Sequence, residues 1–122
     1  MPVIGVGVDL VDIARFERAI SRTPRLKLRL FADDELARGG RPLPLRSLAG
    51  RFAAKEALIK AIGTSGSIAW HDMPVVTDAH GNPGFGLRGG AASAAAELGA
   101  TSVHLTMSHD AGMAVAFVVV EG

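Results

Sequence analysis

Three charged side chains, Lys55, Glu56 and Lys60, interrupt the apolar run that follows Arg51 in residues 51–63 (RFAAKEALIKAIG). This composition predicts a helix that ends at Gly63, because glycine commonly terminates helices. On a helical wheel Lys55 points into the apolar stripe, Glu56 lies at its edge, and Lys60 lies one turn beyond Glu56. Lysine and glutamate are almost never fully buried unless they are paired or bind a ligand. The stretch therefore predicts either an internal Glu56–Lys60 ion pair or a site that presents one carboxylate and two ammonium groups to a polyanionic ligand.

A second candidate carboxylate, Asp9, follows a predicted strand over 3–8 (VIGVGV), in which β-branched residues alternate with glycine. Glycine within a strand indicates that another backbone packs closely against it. An Asp after a strand is more often a helix N-cap or a turn residue than a ligand. Asp12, however, competes for the N-cap of the helix that follows, and this leaves Asp9 available for chemistry.

The chain of 122 residues is predicted to form one domain, 1–122, with a hydrophobic core. Because it contains no cysteine, a disulfide framework and a thiolate metal site are both excluded. The sequence shows neither a signal peptide nor an apolar run long enough to span a membrane, so we expect a cytoplasmic protein with no membrane partner. The glycine pattern matches no nucleotide-binding fingerprint, and the four histidines are not spaced like a zinc site.

The net charge of +1 hides a strong asymmetry along the chain. Residues 15–60 hold twelve of the thirteen Lys and Arg against five acids, a net charge of about +7, while the rest of the chain carries about −6. A basic segment of this kind indicates an anionic partner, which could be a nucleic acid, a phosphorylated ligand or an acidic protein. With five Phe, one Trp and no Tyr, few aromatic rings are available for bases to stack on.

The elements that must position these residues follow from the periodicity and from the Gly and Pro positions. The pattern predicts helices over 13–22, 25–31, from residue 33 onward, over 46–62 and over 91–98, and strands over 3–8, 67–78, 102–108 and 113–120. Residues 39–44 are predicted to be a loop, the Gly- and Pro-rich turn after Asp78 a hairpin, and residues 109–112 a tight hairpin turn.

Five segments together resemble one family, holo-acyl-carrier-protein synthase, the small type of 4′-phosphopantetheinyl transferase. They are GVDLVDIARF (7–16), RFAAKEALIKAIG (51–63), the W-x-D from Trp70 to Asp72, the G-x-P from Gly81 to Pro83, and HLTMSHD (104–110). The resemblance covers nearly the whole chain, and the pairing of G-x-D with F-x-x-K-E-A is specific. It implies an α+β fold with an antiparallel sheet wrapped around a central helix, and a homotrimer with active sites between subunits.

The resemblance also implies an activity. The family transfers the 4′-phosphopantetheine group of coenzyme A to a serine of an acyl carrier protein, requires Mg²⁺ and releases 3′,5′-ADP, in support of fatty acid or polyketide synthesis. Acyl carrier proteins are acidic, which gives the basic segment a protein partner, and no nucleic-acid partner is then expected. Two alternatives remain, a basic nucleic-acid-binding module and a non-catalytic coenzyme A-binding trimer.

Positions matching the family pattern imply roles for individual residues. Asp9 and Glu56 resemble the two carboxylates that hold the metal, and Mg²⁺ commonly takes one or two carboxylates together with waters and substrate phosphates. The implied coenzyme A-binding positions are Arg51, Lys55, Lys60, Gly63, Gly81, Pro83 and His109, with Lys55 alternatively a structural partner of Glu56. The implied carrier-docking arginines are Arg15, Arg22, Arg25 and Arg29.

The group that accepts the serine proton is open among three routes. These are His109 oriented by Asp110, Glu56 acting on a bound water, and the metal lowering the pKa of a water. We favour His109 with Asp110. Asp and Gly also dominate hairpin turns, in which case Asp110 has no catalytic role.

Overall fold

The computed structural model describes residues 1–63 and 68–122. The helices and strands of this part of the chain are β1 (Val3–Asp12), α1 (Ile13–Arg22), α2 (Arg25–Leu30), β2 (Ala37–Arg38), β3 (Arg41–Pro42), α3 (Leu45–Ile62), β4 (Val75–Thr77), β5 (Pro83–Phe85), α4 (Gly89–Leu98), β6 (Ser102–Asp110) and β7 (Met113–Glu121). Within these described residues, no helix is long and apolar enough to cross a membrane.

The three long strands form an antiparallel sheet in the order β1–β7–β6, and α3 packs against one face of it. On β1 the positions facing α3 include Gly5 and Gly7, where an added Cβ would overlap the carbonyl oxygens of Ala61 and Ala57 respectively. The alternating glycines of β1 therefore let the helix backbone lie directly on the strand, as the sequence predicted. This arrangement confirms the predicted α+β fold with an antiparallel sheet and a central helix.

The opposite face of this sheet is apolar and exposed. Val6, Val8 and Leu10 of β1 point away from α3 and are 57%, 51% and 60% exposed. Phe117 of β7 pairs with Val8 and is 43% exposed. A contiguous exposed apolar patch usually marks an interaction surface. We refer to these four side chains as the outer sheet face.

The predicted helix ends are confirmed where a local residue determines them. α3 ends at Gly63 and α4 at Gly99, which have φ of +72° and +93°, a conformation that glycine adopts without steric cost. α1 begins after Asp12, whose Oδ1 accepts a hydrogen bond of 3.0 Å from the backbone N–H of Arg15.

The strands that border the site are longer than predicted. β1 continues to Asp12 because its pairing with β7 extends as far as Met113, so Asp9 lies inside the strand rather than after it. β6 includes residues 109–110, and the turn is reduced to Ala111 and Gly112, which both have positive φ, as a type I′ hairpin requires.

Three other segments also differ from the prediction: one predicted helix and one predicted strand are shorter, and one predicted loop contains a short strand. Residues 33–35 form one 3₁₀ turn rather than opening a helix, because the Glu35 carboxylate is buried and accepts the backbone N–H of Ala32. The loop predicted over 39–44 contains β3, which pairs with β2 just before it to form a small hairpin. The strand predicted over 67–78 is a 3₁₀ turn over 70–72 followed by the short β4, while residue 67 lies outside the described residues.

Candidate functional site

Asp9 and Glu56 line the same cavity, although they are far apart in the sequence. Asp9 lies in β1 on the sheet face that meets α3, and Glu56 lies on α3. This cavity, referred to below as the carboxylate cavity, has a volume of about 680 Å³. Its walls are otherwise mostly apolar and include Phe16, Leu26, Leu30, Phe52 and Trp70.

Lys60 is paired with Asp9 rather than with Glu56. Its Nζ lies 2.9 Å from Asp9 Oδ1 and donates a second hydrogen bond of 3.1 Å to the Val8 carbonyl. Lys60 therefore does not form the ion pair with Glu56 that was one of the two alternatives predicted from the sequence. An ammonium group is instead held next to the two carboxylates.

The environment of Glu56 disfavours its charged form. Burial raises the pKa of Glu56 above its ordinary value, the negative charge of Asp9 raises it further, and Lys60 partly opposes both effects. A hard cation bound by these oxygens would remove the penalty, and two carboxylates, with waters and substrate phosphates, are a common ligand set for Mg²⁺. In the described part of the chain no group of three or more His, Cys, Asp or Glu side chains could hold a metal ion, so waters and substrate phosphates would have to supply the remaining ligands.

His109 lies in a second cavity, of about 330 Å³, referred to below as the histidine cavity. Arg51, Gly81 and Pro83 also line it, so the structure brings together four of the positions that the resemblance implies for coenzyme A binding. Arg38 and Arg46 add positive charge to the same cavity. Sequence reasoning counted these two arginines only as part of the basic segment, and that charge excess was the available signal for an anion site.

The turn that carries Gly81 is organised by Asp78. Its Oδ1 accepts hydrogen bonds of 2.8 Å and 2.9 Å from the backbone N–H groups of His80 and Asn82. These hydrogen bonds lower the pKa of Asp78, and the bond from the Asn82 backbone lowers it most. Gly81 itself has φ of +84°, which explains the glycine at this point of the hairpin.

Asp110 does not share the surroundings of His109. The two residues are adjacent on β6, and successive side chains of a strand point to opposite faces of the sheet. His109 faces the side on which α3 packs and lines the histidine cavity, while Asp110 is exposed at the hairpin. Within one chain, therefore, this geometry does not support an orienting contact from Asp110 to His109.

His109 and the two carboxylates also lie on different sides of β7. His109 pairs with Ala114, and Asp9 pairs with Ala116 from the opposite strand. Among the described residues, none lines both cavities. One chain thus presents two half-sites, one with the carboxylates and one with the histidine and arginines.

The prediction that Lys55 binds coenzyme A is wrong. Lys55 is completely buried and forms a 2.7 Å ion pair with Glu35, so it is neither accessible to a ligand nor the partner of Glu56. Burial lowers the pKa of Lys55, and its hydrogen bond with Glu35 opposes this. Glu35 was not predicted as the partner, because the sequence placed it only in the first turn of the helix expected from residue 33 onward. The available signal was the rule that a lysine inside an apolar stripe needs a buried acid.

The remaining predicted residues occupy the surface around the carboxylate cavity. Arg15 and Arg29 line its wall. Arg22 and Arg25 are exposed on α1 and α2 without lining it. Gly63 ends α3 beyond Lys60 and lines neither cavity, so its ligand-binding role remains a prediction.

Comparison with known proteins gives consistent similarities. Residues 5–117 match the family model of the 4′-phosphopantetheinyl transferase superfamily. A holo-[acyl-carrier-protein] synthase of Clavibacter sepedonicus is 61% identical over 118 residues, 97% of this chain and 95% of the relative. The crystal structure of the holo-[acyl-carrier-protein] synthase from Neisseria meningitidis has a TM-score of 0.85 at 34% identity and covers 99% of this chain and 100% of that one. The Helicobacter pylori holo-[acyl-carrier-protein] synthase in complex with coenzyme A has a TM-score of 0.79 at 30% identity and covers 95% and 99%.

Proposed function

Because this chain belongs to the 4′-phosphopantetheinyl transferase superfamily, as one of its holo-[acyl-carrier-protein] synthases, we propose that it transfers the 4′-phosphopantetheine group of coenzyme A to a serine of an acyl carrier protein. The observation that carries this proposal is the convergence of Asp9 and Glu56 in one cavity that Arg15 and Arg29 also line. In the proposal, residues 1–122 act as one catalytic domain in the cytoplasm and support fatty acid or polyketide synthesis.

The transfer joins the serine oxygen to the phosphorus that carries the pantetheine arm and breaks the pyrophosphate bond, which releases 3′,5′-ADP. Asp9 and Glu56 would hold Mg²⁺, which supplies positive charge for the phosphate oxygens. Lys60, 2.9 Å from Asp9, adds an ammonium group at the same place, and Gly63 permits a close backbone approach beside it. The histidine cavity, with Arg51, binds the rest of coenzyme A.

The activity is tested directly by mass spectrometry of an apo carrier protein incubated with the purified enzyme, coenzyme A and Mg²⁺. We expect the carrier to gain the mass of one phosphopantetheine group and 3′,5′-ADP to accumulate in equal amount. A carrier whose serine is replaced by alanine is the control and should not change. An unmodified wild-type carrier would overturn the proposal in favour of a non-catalytic coenzyme A-binding protein.

We further propose that the active site is completed between the subunits of a homotrimer. Two observations support this: the carboxylate and histidine cavities are separate in one chain, and the outer sheet face is apolar and exposed. A neighbouring subunit packed on the outer sheet face would bury it and bring the histidine cavity of one subunit beside the carboxylate cavity of the next.

Replacement of Phe117 by aspartate is expected to break this assembly, because a charge buried in an apolar interface is strongly unfavourable. We expect Phe117→Asp to elute as a monomer in size-exclusion chromatography with light scattering, and to lose transferase activity with the trimer. Leu98→Asp, at another exposed apolar residue on α4, is the matched control and should remain trimeric and active. A fully active, trimeric Phe117→Asp protein would show that this face is not the interface.

Charge reversal at Arg15 or Arg29 is expected to weaken carrier binding. Both side chains line the carboxylate cavity, with Arg22 and Arg25 proposed to extend the basic surface beyond it. Steady-state kinetics of Arg15→Glu and Arg29→Glu should show the KM for the carrier raised by about tenfold at low salt, which corresponds to about 1.4 kcal/mol, with a smaller effect at high salt.

The matched control for these variants is Arg41→Glu, which changes the net charge equally at an exposed position that lines neither cavity. It should leave the KM for the carrier within about twofold of the wild type, as for surface changes away from an interface. An increase in the KM for coenzyme A instead of that for the carrier would place Arg15 or Arg29 in the coenzyme A site.

A further inference from the structure

One buried ion pair has no role in the chemistry described above. Lys55 on α3 and Glu35 in the 3₁₀ turn after α2 are 0% and 1% exposed. Lys55 Nζ donates to Glu35 Oε1 at 2.7 Å, to the Leu30 carbonyl at 2.6 Å and to the Trp70 carbonyl at 3.0 Å. These three bonds use all the donors of the ammonium group. The lysine therefore ties three separate segments of the chain together.

Two of these three segments form walls of the carboxylate cavity. Leu30 is the last residue of α2 and directly follows Arg29, and both line the cavity. Trp70 lines it as well, with its ring 5.8 Å from the ring of Phe52. Lys55 itself lines neither cavity, so it can affect the site only through the backbone groups that it holds.

The histidine cavity is supported by different hydrogen bonds. Glu35 Oε2 accepts the backbone N–H of Val75 at 3.0 Å, and the Val75 carbonyl accepts a 2.6 Å bond from Arg51. Val75 and Arg51 line the histidine cavity, and neither bond involves Lys55. Loss of Lys55 should therefore disturb the part of the carboxylate cavity wall formed by Arg29 and Trp70 more than the residues of the histidine cavity.

We propose that Lys55 is a positioning residue for carrier-protein binding, which fixes Arg29 and Trp70 at the carboxylate cavity by holding the carbonyls of Leu30 and Trp70. Because this inference rests on the proposed transferase function, it predicts a kinetic effect with a direction. Misplacement of a binding group by about 1 Å can cost about 10²-fold in rate. For the loss of Lys55 we expect the KM for the carrier to rise by about tenfold and the KM for coenzyme A to change by less than about twofold.

The test uses Lys55→Met, which keeps an unbranched chain but removes the three donors. Since this change leaves Glu35 buried without its cationic partner, which is strongly destabilising, the double variant Lys55→Met/Glu35→Gln is measured in parallel. Val118→Ala, buried on the sheet side of the core, controls for a general loss of stability. Trp70 is the only tryptophan of the chain, so its emission and its quenching by acrylamide report its position without any activity assay.

We expect both Lys55 variants to show increased quenching of Trp70 together with the raised KM for the carrier, and Val118→Ala to show neither. Unchanged Trp70 fluorescence in folded Lys55 variants would overturn the positioning role. An equal rise of both KM values in folded Lys55→Met would overturn it as well; the double variant is not used for this comparison, because Glu35 also holds Val75 at the histidine cavity. If the wild-type protein transfers nothing, the proposed function fails, and the fluorescence comparison alone decides whether Lys55 positions Trp70.

Discussion

Replacement of Asp9 by asparagine or of Glu56 by glutamine is expected to lower kcat/KM by at least about 10²-fold, because a metal ion contributes several kcal/mol of charge stabilisation to such a transfer. Each variant keeps the shape of the side chain and removes one of the two anionic oxygen groups in the carboxylate cavity. The Mg²⁺ concentration for half-maximal rate and the KM for coenzyme A should rise together, since the substrate phosphates share the ion.

The same variants should remain folded, which separates a functional loss from a structural one. The Asp9–Lys60 pair is partly exposed and contributes little to stability. Burial and the Asp9 charge raise the pKa of Glu56 in the folded protein, so its ionised form is disfavoured there. The protonated carboxyl group therefore stabilises the fold at low pH, and this contribution is lost as the pH rises through the raised pKa. Near neutral pH, Glu56→Gln should therefore unfold at the wild-type temperature or slightly above it.

Glu97→Gln provides the control for this pair, because Glu97 is an exposed acid on α4 outside both cavities. It should keep the wild-type rate and Mg²⁺ dependence. Wild-type turnover by Asp9→Asn or Glu56→Gln, measured over a titration of Mg²⁺, would contradict the assignment of these residues as metal ligands.

The parts of the fold that were predictable are those fixed by local chemistry. Gly63 ends α3 because glycine adopts a positive φ at little energetic cost. Asp12 caps α1 because its carboxylate accepts the backbone N–H of Arg15, three residues further along the chain. The glycines of β1 indicated a closely packed backbone, which is that of α3. The two helix-end signals lie within a few residues of the structure they determine, whereas the glycines indicate a close approach without identifying the helix that makes it.

The errors come from contacts between distant residues. The rule against unpaired buried charge indicated that Lys55 needs a partner, but it did not distinguish Glu35, in another element, from the neighbouring Glu56. The Trp70 carbonyl is held by Lys55 in a 3₁₀ turn, although the apolar residues around it were compatible with a strand. The two cavities were likewise not predictable from spacing, since sheet order decides that Asp9 and His109 lie on either side of β7.

Removal of the imidazole in His109→Ala is expected to lower kcat by about 10²–10⁴-fold, the usual contribution of a positioned base. The serine hydroxyl is a poor nucleophile until its proton is accepted, and His109 is the proposed acceptor. Mg²⁺ dependence should change little, because the carboxylates lie in a different cavity of the chain.

Two further variants make the interpretation of His109→Ala specific. His80→Ala removes an exposed imidazole that lines neither cavity and should leave kcat unchanged. Asp110→Ala should cost much less than His109→Ala, because Asp110 belongs to the opposite face of β6 and does not accept the proton. If His109→Ala raised only the KM for coenzyme A, His109 would be a phosphate contact, and Glu56 acting on a bound water would become the proposed base. A fall in kcat at saturating coenzyme A, with the KM for coenzyme A unchanged, would instead support proton transfer to His109, since the loss of a contact that only binds coenzyme A raises KM and leaves kcat unchanged.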